Sequence, residues 1–194
     1  MELLESRVGR PEGGTRSCPY PVNEAMIHHW CDAIGDRCAS YLEPDFADAS
    51  VHGGIVAPPT MLQAWTMPGL RPEEPSTGSA GTDPDEDTRS VMQILDDAGF
   101  TSVVATNCEQ EYFRYLRPGD RITHTVEIES VSGEKKTALG TGHFVTQLYN
   151  YRDGNGELVA QMRFRLLKFR PPAADAPPPD GMDRGGTEQE RDRA

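Results

Sequence analysis

The sequence is short of apolar residues, of positive charge and of any long hydrophobic run. Hydrophobic side chains make up 36% of its 194 residues, and 19 Lys and Arg oppose 31 Asp and Glu, a formal net charge of −12. Such a surface repels phosphate, and no Lys/Arg cluster offsets it, so nucleic acid is not expected as a partner. No apolar run reaches the roughly 18–20 residues that span a bilayer. The acidic start also lacks a signal-peptide pattern, so we expect a cytoplasmic protein with no membrane partner.

The spacings that hold a metal ion are also missing. The four cysteines, Cys18, Cys31, Cys38 and Cys108, form no Cys-x-x-Cys pair, and the five histidines show no metal spacing. In a reducing compartment we expect free thiols, mostly buried as small apolar groups. We therefore expect neither a metal site nor a bound cofactor.

Composition divides the chain into one domain and three polar segments. Residues 1–19 combine scattered glycine and charge, which predicts an irregular N-terminal arm. Residues 69–90 are acidic, rich in Pro and Gly and without aromatics, which predicts a disordered insertion. Residues 171–194 are similar and predict a disordered C-terminal tail. The remainder, residues 20–170, is the size of one domain.

The stretch Val51–Trp65 organises that domain. A glycine pair, Gly53-Gly54, permits backbone angles that other residues resist, and Pro58-Pro59 suits the first turn of a helix. The apolar residues that follow recur at helical spacing: Met61, Leu62 and Trp65. We predict a short buried helix with a sheet wrapped around it, and the alternative is an ordinary loop-to-helix junction.

An amphipathic helix is predicted before this stretch, between Pro21 and Gly35. Asn23 is a suitable N-cap, and Gly35 a suitable stop. His28 and His29 fall on the polar face, where we expect them to be solvated. The apolar face would carry Val22, Met26, Ile27, Trp30, Ala33 and Ile34.

Beyond a two-turn helix predicted at Val91–Ala98, the hydrophobic period changes to two. Four strands are predicted, over residues 103–112, 122–129, 136–152 and 158–166, joined as an antiparallel meander. The turn signal Asp153-Gly-Asn-Gly156 separates the last two. The fold class is therefore α+β.

Three residues stand out within these strands. His124 falls on an apolar face, where a hydrogen-bonded structural histidine is favoured over a catalytic one. Gly140 and Gly142 interrupt a strand, which indicates a bulge or the close approach of a ligand.

Over residues 20–170 the chain resembles the MaoC-like hot-dog family, of the MaoC dehydratase N-terminal or FAS1-like dehydratase type. The resemblance lies in a helix ending at Gly35-Asp36, in Gly-Gly-Ile-Val-Ala-Pro-Pro-Thr before a buried helix, and in Tyr-Leu-Arg-Pro-Gly-Asp120. It implies a hot-dog fold, an antiparallel sheet around a central helix. Three further motifs are similar to the MaoC-like part of the large subunit of actinobacterial steroid side-chain enoyl-CoA hydratases: Val104-Ala-Thr-Asn-Cys-Glu109, Thr137-Ala-Leu-Gly-Thr-Gly142 and Leu167-Lys-Phe-Arg-Pro171.

The chain departs from the catalytic pattern of that family at two points. Active members carry Gly-Asp-x-Asn-Pro-x-His, whose Asp and His share a water. Here Asp36 matches the aspartate, but Tyr41 replaces the histidine, and a tyrosine with a pKa of about 10 is a poor base at neutral pH. Active members also carry a His-Gly pair that lends a backbone N–H to the thioester oxygen. In this chain Ala57-Pro58 aligns with that pair, and proline has no N–H. His52-Gly53 lies five residues too early to replace it.

The resemblance therefore implies a motif-less subunit of an enoyl-CoA hydratase. A MaoC-like catalytic subunit would pair with it as a heterodimer or heterotetramer, and a bulky 2-enoyl-CoA would be the substrate. Implied substrate-binding residues are Val56, Ala57, Pro58, Trp65, Gly140 and Gly142, with Trp65 equally explained as core. Two alternatives remain: a self-sufficient hydratase that uses Asp36 with Tyr41 or a displaced histidine, and a non-enzymatic acyl-CoA-binding or scaffolding module. A thioesterase is disfavoured because no carboxylate follows Pro58-Pro59.

Overall fold

The computed structural model describes residues 2–67 and 89–171. Nearly all of the insertion predicted at 69–90 and of the tail predicted at 171–194 lies outside these described residues. Within them, no helix has both the length and the apolar character needed to cross a membrane.

Across residues 2–67 and 89–171, six antiparallel strands form one sheet. Their spatial order is β1-β3-β5-β6-β2, and β4 pairs with the start of β5. The strands are β1 (Arg16–Ser17), β2 (Ser102–Tyr112), β3 (Thr123–Val131), β4 (Lys135–Thr137), β5 (Gly140–Arg152) and β6 (Leu158–Arg170).

Two predictions about this sheet are wrong. The four predicted strands do not form one meander. Strands β3, β5 and β6 do, but β2 pairs with β6, and the chain then crosses to β3 at the other side of β5. Alternating hydrophobicity marks a strand but carries no information about its neighbour. The strand predicted at 136–152 is two strands, because Thr137 Oγ1 donates to the carbonyl oxygen of Gly140 at 2.8 Å and closes a turn between them.

The described residues also contain six helices. They are α1 (Glu2–Glu5), α2 (Glu24–Ile34), α3 (Ala39–Leu42), α4 (Pro44–Ala49), α5 (Leu62–Thr66) and α6 (Val91–Asp97), with a 3-10 turn at Pro59–Met61 leading into α5. The buried helix predicted after the proline pair is α5, and its Trp65 is 1% exposed.

Helix α2 begins and ends where its sequence signals predict. The Asn23 side chain accepts the N–H of Met26 at 2.9 Å, and Gly35 ends the helix in a left-handed conformation with φ 72°. Its buried face differs from the predicted one. Cys31 is buried, whereas Ala33 is exposed and Ile34 is 56% exposed, because the last turn reaches beyond the core.

The interior holds two separate apolar clusters. The larger surrounds α5 and includes Met61, Leu62, Trp65, Tyr151 and Met162. The smaller lies under α6 and includes Leu4, Val91, Leu95, Phe100 and Val145. Strand β5 contributes to both clusters.

A hydrogen-bonded glutamate joins the N-terminal arm to the smaller cluster. The carboxylate of Glu12 accepts the backbone N–H of Val91 at 2.5 Å and the side-chain N–H of Gln147 at 3.0 Å. Strand β1 pairs with β3. The arm therefore covers the β3 side of the sheet, while the outer edge of β2 pairs with no strand in the described ranges.

His124 is part of the core. It is 6% exposed and stacks against Tyr149 with ring centroids 5.9 Å apart. Its Nδ1 has no hydrogen-bond partner among the residues described. Burial, followed by the nearby Arg16, lowers the pKa of His124.

Candidate functional site

A cavity of about 280 Å³ lies between the start of α5 and the end of β2. Two segments form its opposite walls, the helix entrance on one side and the chain that leaves β2 on the other, with two residues of β6 between them. The lining residues are Ala57, Pro58, Pro59, Leu62, Tyr112, Phe113, Arg114, Tyr115, Leu116, Val159 and Ala160.

The helix entrance offers no backbone N–H to a ligand at three successive positions. The N–H of Ala57 donates to the carbonyl oxygen of Leu116 at 2.8 Å, across the cavity wall. Pro58 and Pro59 have no N–H to donate. A thioester oxygen placed against these three residues would find no hydrogen-bond donor from their backbone.

The residual aspartate is occupied by the chain itself. Asp36 Oδ1 accepts the backbone N–H of Cys38 at 2.9 Å. Burial, followed by the electrostatic effect of Tyr115, Cys38, Asp36 and Cys31, raises the pKa of Tyr41 to about 12. Tyr41 is therefore protonated at neutral pH and cannot take a proton from water there.

His52 packs against the outer part of the cavity wall. Its ring contacts Tyr115 edge-on, with centroids 4.6 Å apart. Its carbonyl oxygen accepts a hydrogen bond from the guanidinium of Arg117, which fixes the loop that contains the glycine pair. Within the described residues no group of three or more His, Cys, Asp or Glu could hold a metal ion.

Arg114 anchors the β2 side of the cavity. Its guanidinium donates to Asp120 at 2.7 Å and to Asp153 at 2.9 Å, which ties the chain after β2 to the turn between β5 and β6. These hydrogen bonds raise the pKa of Arg114 and lower that of Asp153. Both terminal nitrogens of the guanidinium therefore donate to carboxylates, and Arg114 stabilises the position of this wall.

The structure places the six predicted substrate-binding residues in three settings. Ala57 and Pro58 line the cavity. Val56 and Trp65 are buried outside the lining, and Trp65 belongs to the larger apolar cluster, with its carbonyl oxygen accepting the Cys18 thiol.

Gly140 and Gly142 serve the packing of the sheet. A Cβ at Gly140 would lie 2.0 Å from the carbonyl oxygen of Arg170, and one at Gly142 would lie 2.2 Å from that of Lys168. The space beside both glycines is filled by the backbone of β6. It is not available to a ligand.

Sequence reasoning missed the wall formed by residues 112–116. Three aromatic side chains in four positions, Tyr112, Phe113 and Tyr115, follow a strand and break its alternation. All three are more than a third exposed. An exposed aromatic run at a strand end was the available signal, because exposed apolar patches mark binding surfaces.

Comparison with known proteins identifies the family. A family model described as the FAS1-like dehydratase domain region matches residues 13–162. The chain belongs to this family. The predicted hot-dog fold is confirmed, because the chain also superposes on hot-dog hydratases. One of them is the (R)-hydratase of A. caviae, with a TM-score of 0.51 and 12% identity, which is a likeness of fold alone.

Two relatives are named as hydratase subunits. The chain is 44% identical over 163 residues to the 3-oxo-4,17-pregnadiene-20-carboxyl-CoA hydratase alpha subunit of Mycobacterium tuberculosis, covering 84% of the chain and 50% of the relative. It is 45% identical over 171 residues to a probable enoyl-CoA hydratase alpha subunit of Thermomonospora curvata, covering 87% and 51%. The chain thus spans about half the length of these relatives.

A solved structure with substantial identity also matches. It is the crystal structure of the ChsH1-ChsH2 complex from Mycobacterium tuberculosis, with a TM-score of 0.72 and 42% identity, covering 92% of the chain and 94% of the matched one. The resemblance to steroid side-chain hydratase subunits, stated from motifs, is confirmed.

Proposed function

We propose that this chain is the motif-less subunit of a heteromeric enoyl-CoA hydratase. It would shape the pocket for a bulky 2-enoyl-CoA, such as a steroid side-chain thioester, beside a MaoC-like subunit that carries the catalytic Asp and His. The CoA thioester is the substrate, no further cofactor takes part, and the complex works in the cytoplasm.

The observation that carries this proposal is the helix entrance. Hydration of a 2-enoyl thioester develops negative charge on the thioester oxygen, and preorganised N–H donors stabilise that charge. The N–H of Ala57 is already bonded and the next two residues are prolines. The helix entrance of this chain can therefore enclose the acyl group without itself stabilising the charge that the reaction develops.

Proton transfer also requires a second chain. One group must take a proton from water and another must protonate the carbon skeleton. Asp36 has a backbone partner, and Tyr41 keeps its proton at neutral pH. We therefore assign both the acid and the base to the Asp and His of the MaoC-like partner.

The free edge of β2 supports the proposed pairing. Exposed edge strands present unpaired backbone groups that another chain can cover. The cavity opens beside the end of this strand, among exposed aromatics. A second hot-dog unit on that edge would place its own groups at the mouth of the cavity.

Activity measurements on the chain alone and with its partner test the proposal. The partner is a MaoC-like protein with an intact Gly-Asp-x-Asn-Pro-x-His motif from the same source. We expect enoyl-CoA hydration at background rate with the chain alone, turnover after mixing, and a larger species in size-exclusion chromatography with light scattering. Turnover by the isolated chain that Asp36→Asn abolishes would contradict the proposal and favour a self-sufficient hydratase.

A further inference from the structure

Gln110 on β2 carries an amide donor whose hydrogen bonds go to sulfur. In the described part of the chain its Nε2 contacts Met162 Sδ at 3.4 Å and Cys108 Sγ at 3.7 Å. Thioether and thiol sulfur are weak acceptors. The other end of the carboxamide is fixed, because the Tyr112 hydroxyl donates to Oε1. The amide N–H is thus held in place without a strong acceptor.

This donor lies one step beyond the cavity along the same face of the sheet. Tyr112 pairs with Ala160 across β2 and β6, and both line the cavity. Gln110 pairs with Met162, two residues further along each strand. Residues two apart share a face and lie about 7 Å from each other. A ligand that fills the cavity and extends along β2 reaches Gln110.

Gln110 lies at the border between the core and solvent. Met162 beside it is fully buried, whereas Gln110 is half-buried and Cys108 is exposed. Two polar groups that line the cavity have oxygen partners, namely Leu116 for the N–H of Ala57 and two carboxylates for Arg114. A new oxygen acceptor lowers the free energy of a half-buried amide that contacts only sulfur more than it lowers that of groups already bonded to oxygen.

We propose that Gln110 is a specificity-determining residue of the acyl pocket, whose carboxamide N–H donates a hydrogen bond to a carbonyl oxygen of the bound acyl-CoA. Tyr112 positions the carboxamide. This inference rests on the proposed function. The carbonyl has two possible sources, the thioester itself or a ketone on the rings of the acyl group. The Gln110 N–H can donate a hydrogen bond to either of them.

The test compares two variants of the reconstituted complex. Gln110→Met keeps the length of the side chain and removes the amide. Gln161→Met is the matched control, because Gln161 lies on the outer face of β6 and donates to Asn150 Oδ1 at 2.6 Å. Calorimetry measures Kd for three saturated steroid acyl-CoA probes: one with a ring ketone, one without the ketone, and a CoA thioether that keeps the ketone but lacks the thioester carbonyl.

The pattern of losses identifies the carbonyl. We expect Gln110→Met to weaken binding about fivefold for the two probes that keep the contacted carbonyl. The Kd of the probe that lacks that carbonyl should not change. Loss on both ketone probes identifies the ring ketone, and loss on both thioesters identifies the thioester. Tyr112→Phe should show the same pattern with a smaller loss, and Gln161→Met no loss.

Two results would overturn the inference. Unchanged Kd values for all three probes would show that Gln110 makes no such contact, and an equal loss on all three would show a role in shape or folding. Either result leaves the proposed function standing, provided that the unmodified complex binds the probes. If the unmodified complex binds none of them, the proposed function fails and this inference fails with it.

Discussion

Gly142 occupies a position on β5 where a larger side chain would strike the neighbouring strand. An added Cβ would lie 2.2 Å from the carbonyl oxygen of Lys168 and 2.7 Å from Cα of Phe169. Because both are backbone atoms of a central strand, they cannot move aside independently. We expect Gly142→Ala to lower the free energy of unfolding by about 1–3 kcal/mol, measured by urea denaturation.

The control for this prediction is Gly154→Ala. No heavy atom lies within 4 Å of a Cβ built at Gly154 in the β5–β6 turn. Its effect should stay within about 0.5 kcal/mol. Equal stability of the two variants would show that β6 is further from Gly142 than the structure places it.

Asp153 gives the fold a dependence on acid. It is buried and accepts hydrogen bonds from Arg114 and from the backbone of Asn155 and Glu157. The Arg114 hydrogen bond lowers its pKa. Since the folded-state pKa lies below the unfolded value of about 4, these interactions stabilise the protein above that pH and are lost as the pH falls.

Asp153→Asn should therefore be less stable than the unmodified chain near neutrality, and the difference should shrink as the pH falls below about 4. Urea denaturation from neutral to acidic pH measures it. Asp32→Asn is the control, because the pair of Asp32 with Arg37 is exposed and contributes little. A difference that stays constant with pH would contradict the assignment.

Single residues of the site were only partly predictable from the sequence. Ala57 and Pro58 were named because the family resemblance places its His-Gly pair at these positions, and both line the cavity. Gln110 was not, because its role depends on Met162, which lies 52 residues further along the chain and meets it only through strand pairing. Tyr112 was assigned to the end of a strand, and the aromatic residues next to it, Phe113 and Tyr115, were not interpreted as a cavity wall.

At the scale of elements, the N-terminal arm depends on one carboxylate. Glu12 bonds to the first residue of α6 and to Gln147 on β5. Glu12→Ala removes both hydrogen bonds and leaves two donors without their acceptor. We expect it to lower the free energy of unfolding by about 1–3 kcal/mol and to increase amide hydrogen exchange in α6.

Glu5→Ala provides the comparison, because this substitution removes the same type of side chain from the same arm. Glu5 itself is exposed on α1. It should leave α6 protected from exchange. If both variants behave alike, the arm is held by α1 and β1 and the carboxylate is dispensable.

The elements themselves were predicted well where their signals are local. Asn23 and Gly35 bound α2 as expected, and the Asp153–Gly156 turn separates β5 from β6. The order of the strands was not predictable, because the residues of β2 alternate identically whether their neighbour is β3 or β6. The split between β4 and β5 depends on a turn closed by Thr137, which interrupts an otherwise continuous strand pattern.

At the scale of the whole molecule, the proposed partner should depend on the aromatic end of β2. Phe113 is 49% exposed and lines the cavity. Phe113→Ser should weaken association with the MaoC-like partner about tenfold or more, because exposed aromatic anchors at such edges carry much of an interface's affinity. Analytical ultracentrifugation of the mixture measures the Kd.

Phe46→Ser is the matched change, since Phe46 is similarly exposed on α4 and lies outside the cavity wall. It should leave association intact. A partner that binds the Phe113 variant as tightly as the unmodified chain would place the interface elsewhere on the surface.

The carboxylate of Glu12 also sets an order in time. It meets Gln147, which a ribosome adds 135 residues later, and Arg16 of β1 pairs with His124 across a similar separation. Contacts between such distant residues form slowly, because a long loop must close before they contribute. During synthesis Glu12 and Arg16 must therefore wait until β3 and β5 have been made, so the segment that contains them is among the last parts of this domain to fold.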